Sequence, residues 1–390
     1  MLSWQFTGRS VLAIALLAAS CTGTTIEDEQ GHEPIAGDSA EQDVANDTTV
    51  DELLANIASM DLSADEQLEY LYERAVDEGQ VTFYGVQPLR VQDPLAQAFQ
   101  DEFSGIDYEY IRIGSDDMRE RLLLEQQAGR HIADVISVQS HIGSRLRDAG
   151  LLAEHHGVPV PDSYPADFVG EWSVGSAIVP HVISWNTNTI SDDDAPQEWD
   201  DFLLPDHSGC VIDSAAFGFT QAMVLERGFE GASKWFQAFI DNDGEVRRGH
   251  SEAPRALASG EIDCAVYTFH QITERMISED DAPLNWHAAD PSPAAVTSFY
   301  ISQDSPNPHA AALLMHWLLD VEGAQVIADH HFQTVHPEVK QPLEGLRPWH
   351  EAGSELERRL LPVHAEEAGE IADEVEQLID TYLVPNLDRN

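Results

Sequence analysis

The sequence predicts an α/β protein of two lobes, each a mostly parallel sheet with helices on both faces. Three observations predict it. Short apolar strands alternate with amphipathic helices from "VTFYG" onward, the pattern of a parallel sheet covered on both sides. The alternation breaks at "VISWNT" and then restarts. About 310 residues remain after the polar N-terminal stretch, more than one hydrophobic core comfortably serves.

The elements follow in order. Ser63 caps a helix with Glu66 three residues on, and Leu68, Leu71, Tyr72 and Ala75 share one face. Gly79 stops it. "VTFYG" is a strand, and Leu95, Phe99 and Phe103 mark the next helix at i, i+4, i+8. "YEYIRI" precedes a helix bearing Met118, Leu122 and Leu123. "ADVISV" precedes one with Ile142, Leu146 and Ala149. In the second round, strand "CVID" leads to helices around Met223 and around Trp235, Phe236 and Phe239, and then to strand "CAVYT". No internal repeat is present.

The first twenty residues read as an export signal: Arg9 is followed by "VLAIALLAA", too short to span a bilayer. Residues 21–62 are acidic and polar, without apolar periodicity, and read as a flexible tether. Export leaves Cys210 and Cys264 in a compartment that permits disulfides. Their 54-residue spacing matches no zinc site, and it fits a bridge and two small buried hydrophobes equally well.

The formal charge is −50, and Lys234 and Lys340 are the only lysines. Phosphate binding requires a basic face, so a nucleic-acid partner is excluded. An acidic, lysine-poor surface fits salty surroundings, which screen its self-repulsion.

Ligands of open α/β sheets sit beyond the strands' carboxyl ends. Those loops are Tyr84–Gln87, Gly114–Asp117, Gln139–His141, Ser214–Phe219 and Thr268–Gln271, rich in hydroxyls, amides and aromatic rings. Such groups orient a small molecule by hydrogen bonding and stacking. The candidate ligand-binding residues are Tyr84, Gln87, Ser115, Asp116, Gln139, Ser140, Phe217, Tyr267, Thr268 and His270. GxSxG, GxGxxG, phosphate-loop and HExxH motifs are missing, so no enzyme and no cofactor is expected. The histidines of "EHH" (His155, His156) and "DHHFQTVH" (His330, His331, His336) read as surface residues, with a zinc-capturing patch as the sharper alternative. Adjacent histidines on a helix point about 100° apart and seldom share a metal.

Several stretches together carry a family resemblance. "LYERAVDEGQVTFYG", "QQAGRHIADVISV", "LRDAGLL", "VISWNTNTI", "APQEWDDFLLPDHSG", "LASGEIDCAVY" and "DSPNPHAAALLMHWLLDVEGAQV" resemble, in order and spacing, the family 1 extracellular solute-binding proteins. These capture solutes for ABC importers. The resemblance covers about residues 66–345. It implies a type II periplasmic-binding-protein fold, whose lobes close on the solute across two hinge crossings. It implies lobe 1 over 63–183 and 291–345, lobe 2 over 184–290, and C-terminal helices over 346–390. The partners it implies are a small-molecule solute and the permease subunits of an importer, with the protein itself a monomer. "LAASC" resembles a lipobox, which makes Cys21 the lipidated first residue of a membrane-anchored protein facing the periplasm or exterior.

Ferric-iron members of the family hold the metal with adjacent tyrosines after the strand matching "DCAVYT". Here His270 and Gln271 stand in that place, Pro88 takes the first-loop histidine position, and Val138 takes that of the third-loop acid. Ferric iron prefers phenolate and carboxylate oxygen, which this set lacks except for Tyr267. The expected solute is therefore a small organic or oxyanion species, with ferric iron as the alternative. A thiamine-like cation, a polyamine, a phosphonate and a sugar phosphate all fit the loops. A receptor presenting its loaded form to a sensor is a further alternative.

Overall fold

Strand β5 (Val174–Asn186) organises the molecule, because its two halves belong to different cores. A computed structural model describes residues 49–387 apart from 157, 162, 250–251, 331 and 341–359, and it does not describe the side chains of 115, 116, 365 and 366. The expected signal, Cys21 and most of the expected tether lie outside the described residues.

The first half of β5 belongs to lobe 1. There β1 (Gln80–Gly85) pairs in parallel with β2 (Asp107–Arg112) and β3 (Val135–Gln139). The long strand β10 (Ser292–Ser302) lies antiparallel between β3 and β5. Helix α2 (Ala64–Glu78) precedes β1, and helices α3 (Leu89–Glu102), α4 (Ser115–Gln127) and α5 (Ser140–Asp148) each follow one of the three parallel strands. Two-residue strands β4 (Leu152–Ala153) and β11 (Gln333–Thr334) pair with β10 and β5. Phe83, Phe99 and Leu313 pack on one face of the sheet, and Tyr84, Met118, Ile136 and Tyr300 on the other. Two helices of the return segment, α9 (Pro308–Leu319) and α10 (Val321–Ala328), complete the first core; nearly every residue of α9 is buried. No single helix among the described residues is long and apolar enough to cross a membrane.

The second half of β5 belongs to lobe 2. It lies between β8 (Cys264–Phe269) and β9 (Leu284–His287), both antiparallel to it. The short strands β6 (Val211–Asp213) and β7 (Glu245–Arg247) extend the sheet beyond β8. Helix α6 (Phe217–Asp241) brings Phe219, Trp235, Phe236 and Phe239 to one face; α7 (Glu252–Ser259) and α8 (His270–Asp280) cover the other with Leu257 and Met276. Cys210 and Cys264 are buried, 4.9 Å apart between Cα atoms, and disulfide-bonded. Of the two readings open in the sequence, the bridge is the one the structure adopts.

Asp134, at the foot of β3, ties lobe 1 together. Its Oδ2 accepts from the Thr82 N–H at 2.7 Å and the Asn307 side-chain amide at 3.1 Å. Its Oδ1 accepts from the Ser305 hydroxyl at 2.6 Å and the Asn307 N–H at 2.9 Å. Burial pushes the carboxyl up to about 6, against the opposing pull of those bonds.

The structure corrects the reading in three places. Residues 50–58 were expected within the tether, yet they form helix α1 (Val50–Ala58) with a Thr49/Glu52 capping box. Val50, Leu54 and Ile57 bury one stripe in the lobe 1 core, a helical spacing diluted by acidic neighbours. The C-terminal segment, expected to be helical, includes strand β12 (Leu360–Val363) in parallel register with Ser292–Ala295 of β10. Short helices α11 (Ala365–Glu370) and α12 (Ala372–Leu378) follow it. Finally, His155 and His336 are not surface residues. His155 is buried with its Nε2 2.7 Å from the Gly170 carbonyl, and His336 is buried with its Nδ1 accepting the Glu338 N–H at 3.2 Å.

Candidate functional site

Helices α3, α4, α5, α6 and α8 all begin at the carboxyl end of a strand or the turn after it, and each start leaves N–H groups without intrahelical partners. Two of these starts touch across the lobes. The His141 ring, second residue of α5, stacks on the Phe217 ring, first residue of α6, with centroids 5.0 Å apart and planes 13° apart. Arg145, one turn along α5, holds its guanidinium carbon 5.8 Å from the same ring. Arg145 also pairs with Glu376 of α12. Ser140 fixes the α5 start by donating to the Val296 carbonyl of β10 at 3.0 Å.

The sheet beneath carries a β-bulge. Val182 pairs with Thr268 and Ser184 with Ala265, so β8 has one residue more than β5 over this span. Tyr267 and Phe269, two residues apart on β8 and so on one face, both turn to His181 of β5, at ring distances of 4.8 and 5.1 Å. Gly218 presses on the same imidazole: a Cβ there would lie 2.3 Å from its Cε1, which only glycine avoids. Tyr267 is buried, its hydroxyl 3.5 Å from the Ala215 carbonyl, and burial followed by the Asp213 carboxylate pushes its phenol well above the ordinary value. Thr268 faces the other side, in a buried hydroxyl chain with Ser184 at 2.6 Å and Thr273 at 2.8 Å. That chain pins the first turn of α8 to the sheet.

The remaining expected residues are dispersed. Tyr84 is fully buried in the lobe 1 core and donates to Glu125 at 2.9 Å; burial, with Glu125 second, pushes it up to about 12. It supports the loop from below. Gln87 donates from Nε2 to the Ser137 hydroxyl at 2.7 Å, and its buried Oε1 has no partner among the described residues. Gln139 ends β3 and sits half-buried at the cap of α5. Ser115 and Asp116 open α4, and their side chains lie outside the described residues. His270 is 1% exposed, edge-on to Trp286 with ring centroids 4.3 Å apart, and neither ring nitrogen has a hydrogen-bond partner among the described residues. Burial pushes it down to about 3. His181 was missed by sequence reasoning. Its one signal was a polar ring inside the otherwise apolar run "AIVPHVISW".

No three His, Cys, Asp or Glu side chains among the described residues come together as a metal site. Residues 130–353 match the family model described as bacterial extracellular solute-binding protein. The chain belongs to that family. A solute-binding protein of this kind serves an ABC importer and works outside the cytoplasm. Iron-bound HitA from Pseudomonas aeruginosa is similar in structure, with TM-score 0.65 and 21% identity over 78% of this chain and 99% of that one. AfuA from Actinobacillus pleuropneumoniae, with exogenous fructose-6-phosphate bound, has TM-score 0.64 and 18% identity over 80% and 99%. The Trichodesmium protein IdiA (FutA), in complex with iron and citrate ligands, has TM-score 0.64 and 18% identity over 78% and 99%. The shared architecture is the type II periplasmic-binding-protein fold. No curated protein sequence matches this solute-binding protein significantly.

Proposed function

We propose that the protein captures a small organic or oxyanion solute between its lobes and delivers it to an importer's permease subunits, held at the membrane by a lipid on Cys21. The meeting of the α5 and α6 N-termini at His141 and Phe217 carries this reading. Helix starts present free N–H groups and partial positive charge, a ready seat for an anionic group. Ser140, Gln139 and Gln87 offer hydroxyl and amide groups on the lobe 1 side, and Phe217, Tyr267, Thr268 and His270 belong to the lobe 2 side. Ser115 and Asp116 complete the proposed set at the α4 start.

The test is a thermal-shift screen of the mature protein against organophosphates, inorganic oxyanions, organic cations and ferric citrate. A solute at 100 times its dissociation constant stabilises the bound form by about 2.7 kcal/mol. A shift by an organic or oxyanion solute supports the reading, and turnover of that solute in proportion to protein sinks it. Ferric iron is the second reading, supported by the iron-bound relatives. A shift confined to ferric citrate would favour it. For the anchor, wild-type protein should partition with membranes and the Cys21→Ser protein should not; freely released wild type would count against lipidation.

A further inference from the structure

We infer that one face of the Phe217 ring is the seat for a planar aromatic or heteroaromatic part of the solute, and that His141 occupies this seat when the lobes meet. The inference rests on the solute-binding reading and narrows it. The contact is a parallel stack of two half-buried rings, one from each lobe. His141 and Arg145 stand one turn apart on α5, so both project from one face of that helix toward Phe217. Solute enters between lobes only when they part, so entry must break this stack. A planar group entering there restores stacking to Phe217, beside the Arg145 guanidinium that Glu376 holds in place. A non-planar solute leaves the ring without that partner.

The neighbouring surface has the same character. Gly218 follows Phe217 directly and presses on His181, which lies between Tyr267 and Phe269. Phe217 thus stands one residue from a cluster of three rings, His181, Tyr267 and Phe269, at the lobe 2 edge. If the stack served only to pack the lobes, Phe217 and His141 would support closure equally. If His141 is a stand-in for solute, the two residues act in opposite directions.

The experiment uses calorimetric titration of the mature protein with matched probes: phenyl phosphate and nicotinate against glycerol 3-phosphate and lactate. Planar probes are expected to bind more tightly than their partners. Phe217→Leu, which keeps an apolar side chain, should weaken planar binding about 3- to 10-fold, the worth of one aromatic pair, and leave glycerol 3-phosphate unaffected. His141→Ala should strengthen planar binding by a similar factor. Phe217→Tyr should retain it and covers the case of a leucine variant that misfolds. Equal weakening by Phe217→Leu and His141→Ala would make the stack simple packing and overturn the inference. So would planar probes that bind no better than their partners; glycerol 3-phosphate binding in that case leaves the solute-binding reading standing.

Discussion

Removing the Cys210–Cys264 bridge has a magnitude that follows from its place in the chain. The bond closes a loop of 54 residues that holds β6, α6, β7 and α7, most of lobe 2. Confining a loop of that length in the unfolded chain stabilises the fold by about 4 kcal/mol at 25 °C in the chain-entropy description. Both sulfurs are buried, so truncation to alanine adds a packing loss at each site. The two contributions separate by their additivity. Cys210→Ala, Cys264→Ala and the double variant all lose the same bridge. If the bridge dominates, each single variant falls by nearly the full amount, and the double falls little further.

Urea unfolding in 1 M NaCl, read by tryptophan fluorescence, follows the right region, because Trp185, Trp199 and Trp235 lie in the bridged lobe's core. The m-value should rise in all three variants, since the unbridged chain exposes more surface on unfolding. Losses that simply add, each near 1 kcal/mol with an unchanged m-value, would show that the cysteines act as small buried hydrophobes and refute the argument.

Three further outcomes are expected. His270→Phe removes two buried ring nitrogens without partners among the described residues, so stability at pH 7.5 should hold or rise. The unfolded chain protonates this histidine near its ordinary value of 6.5, whereas the folded protein resists until about 3. The wild type should therefore lose stability relative to the variant as pH falls below 6.5, at up to about 1.4 kcal/mol per pH unit; parallel pH curves would contradict this. Asp134→Asn should cost about 2–4 kcal/mol in chemical unfolding, because either amide orientation aims an NH2 at a backbone N–H, of Thr82 or of Asn307. A loss below 1 kcal/mol would mean the carboxylate is not the organising acceptor. Raising NaCl from 0.1 to 1 M shortens screening from about 10 to 3 Å and should raise the melting temperature of a chain of formal charge −50; a salt-independent midpoint would refute the screening argument.

Local chemistry made much of the architecture readable. Leu95 and Phe99 at helical spacing and the apolar run of "VISV" report which face is buried, and both lie in the lobe 1 cores. Where local signal and tertiary demand disagree, the reading departs. Leu360–Val363 stands in a glutamate-rich stretch with helical character, and only pairing with Ser292–Ala295, far away in sequence, makes it a strand. Tyr84 carries a polar group at a strand's end, which reads as a ligand contact. Glu125, 41 residues on, supplies the partner that lets it be buried instead.

The site shows the same division more sharply. The strand ends proposed to carry it follow from the alternation of strands and helices, and Phe217 was singled out on that ground. The contact that gives Phe217 a chemical meaning was not, because it requires the starts of α5 and α6 to arrive at one point from different lobes. His181 is further from reach. Its ring has flanking partners because Tyr267 and Phe269, two residues apart on β8, share the face that meets it, and it has room because position 218 is glycine. That His181 is the residue of β5 opposite this face of β8 is set by pairing register, a property that no local run of residues contains.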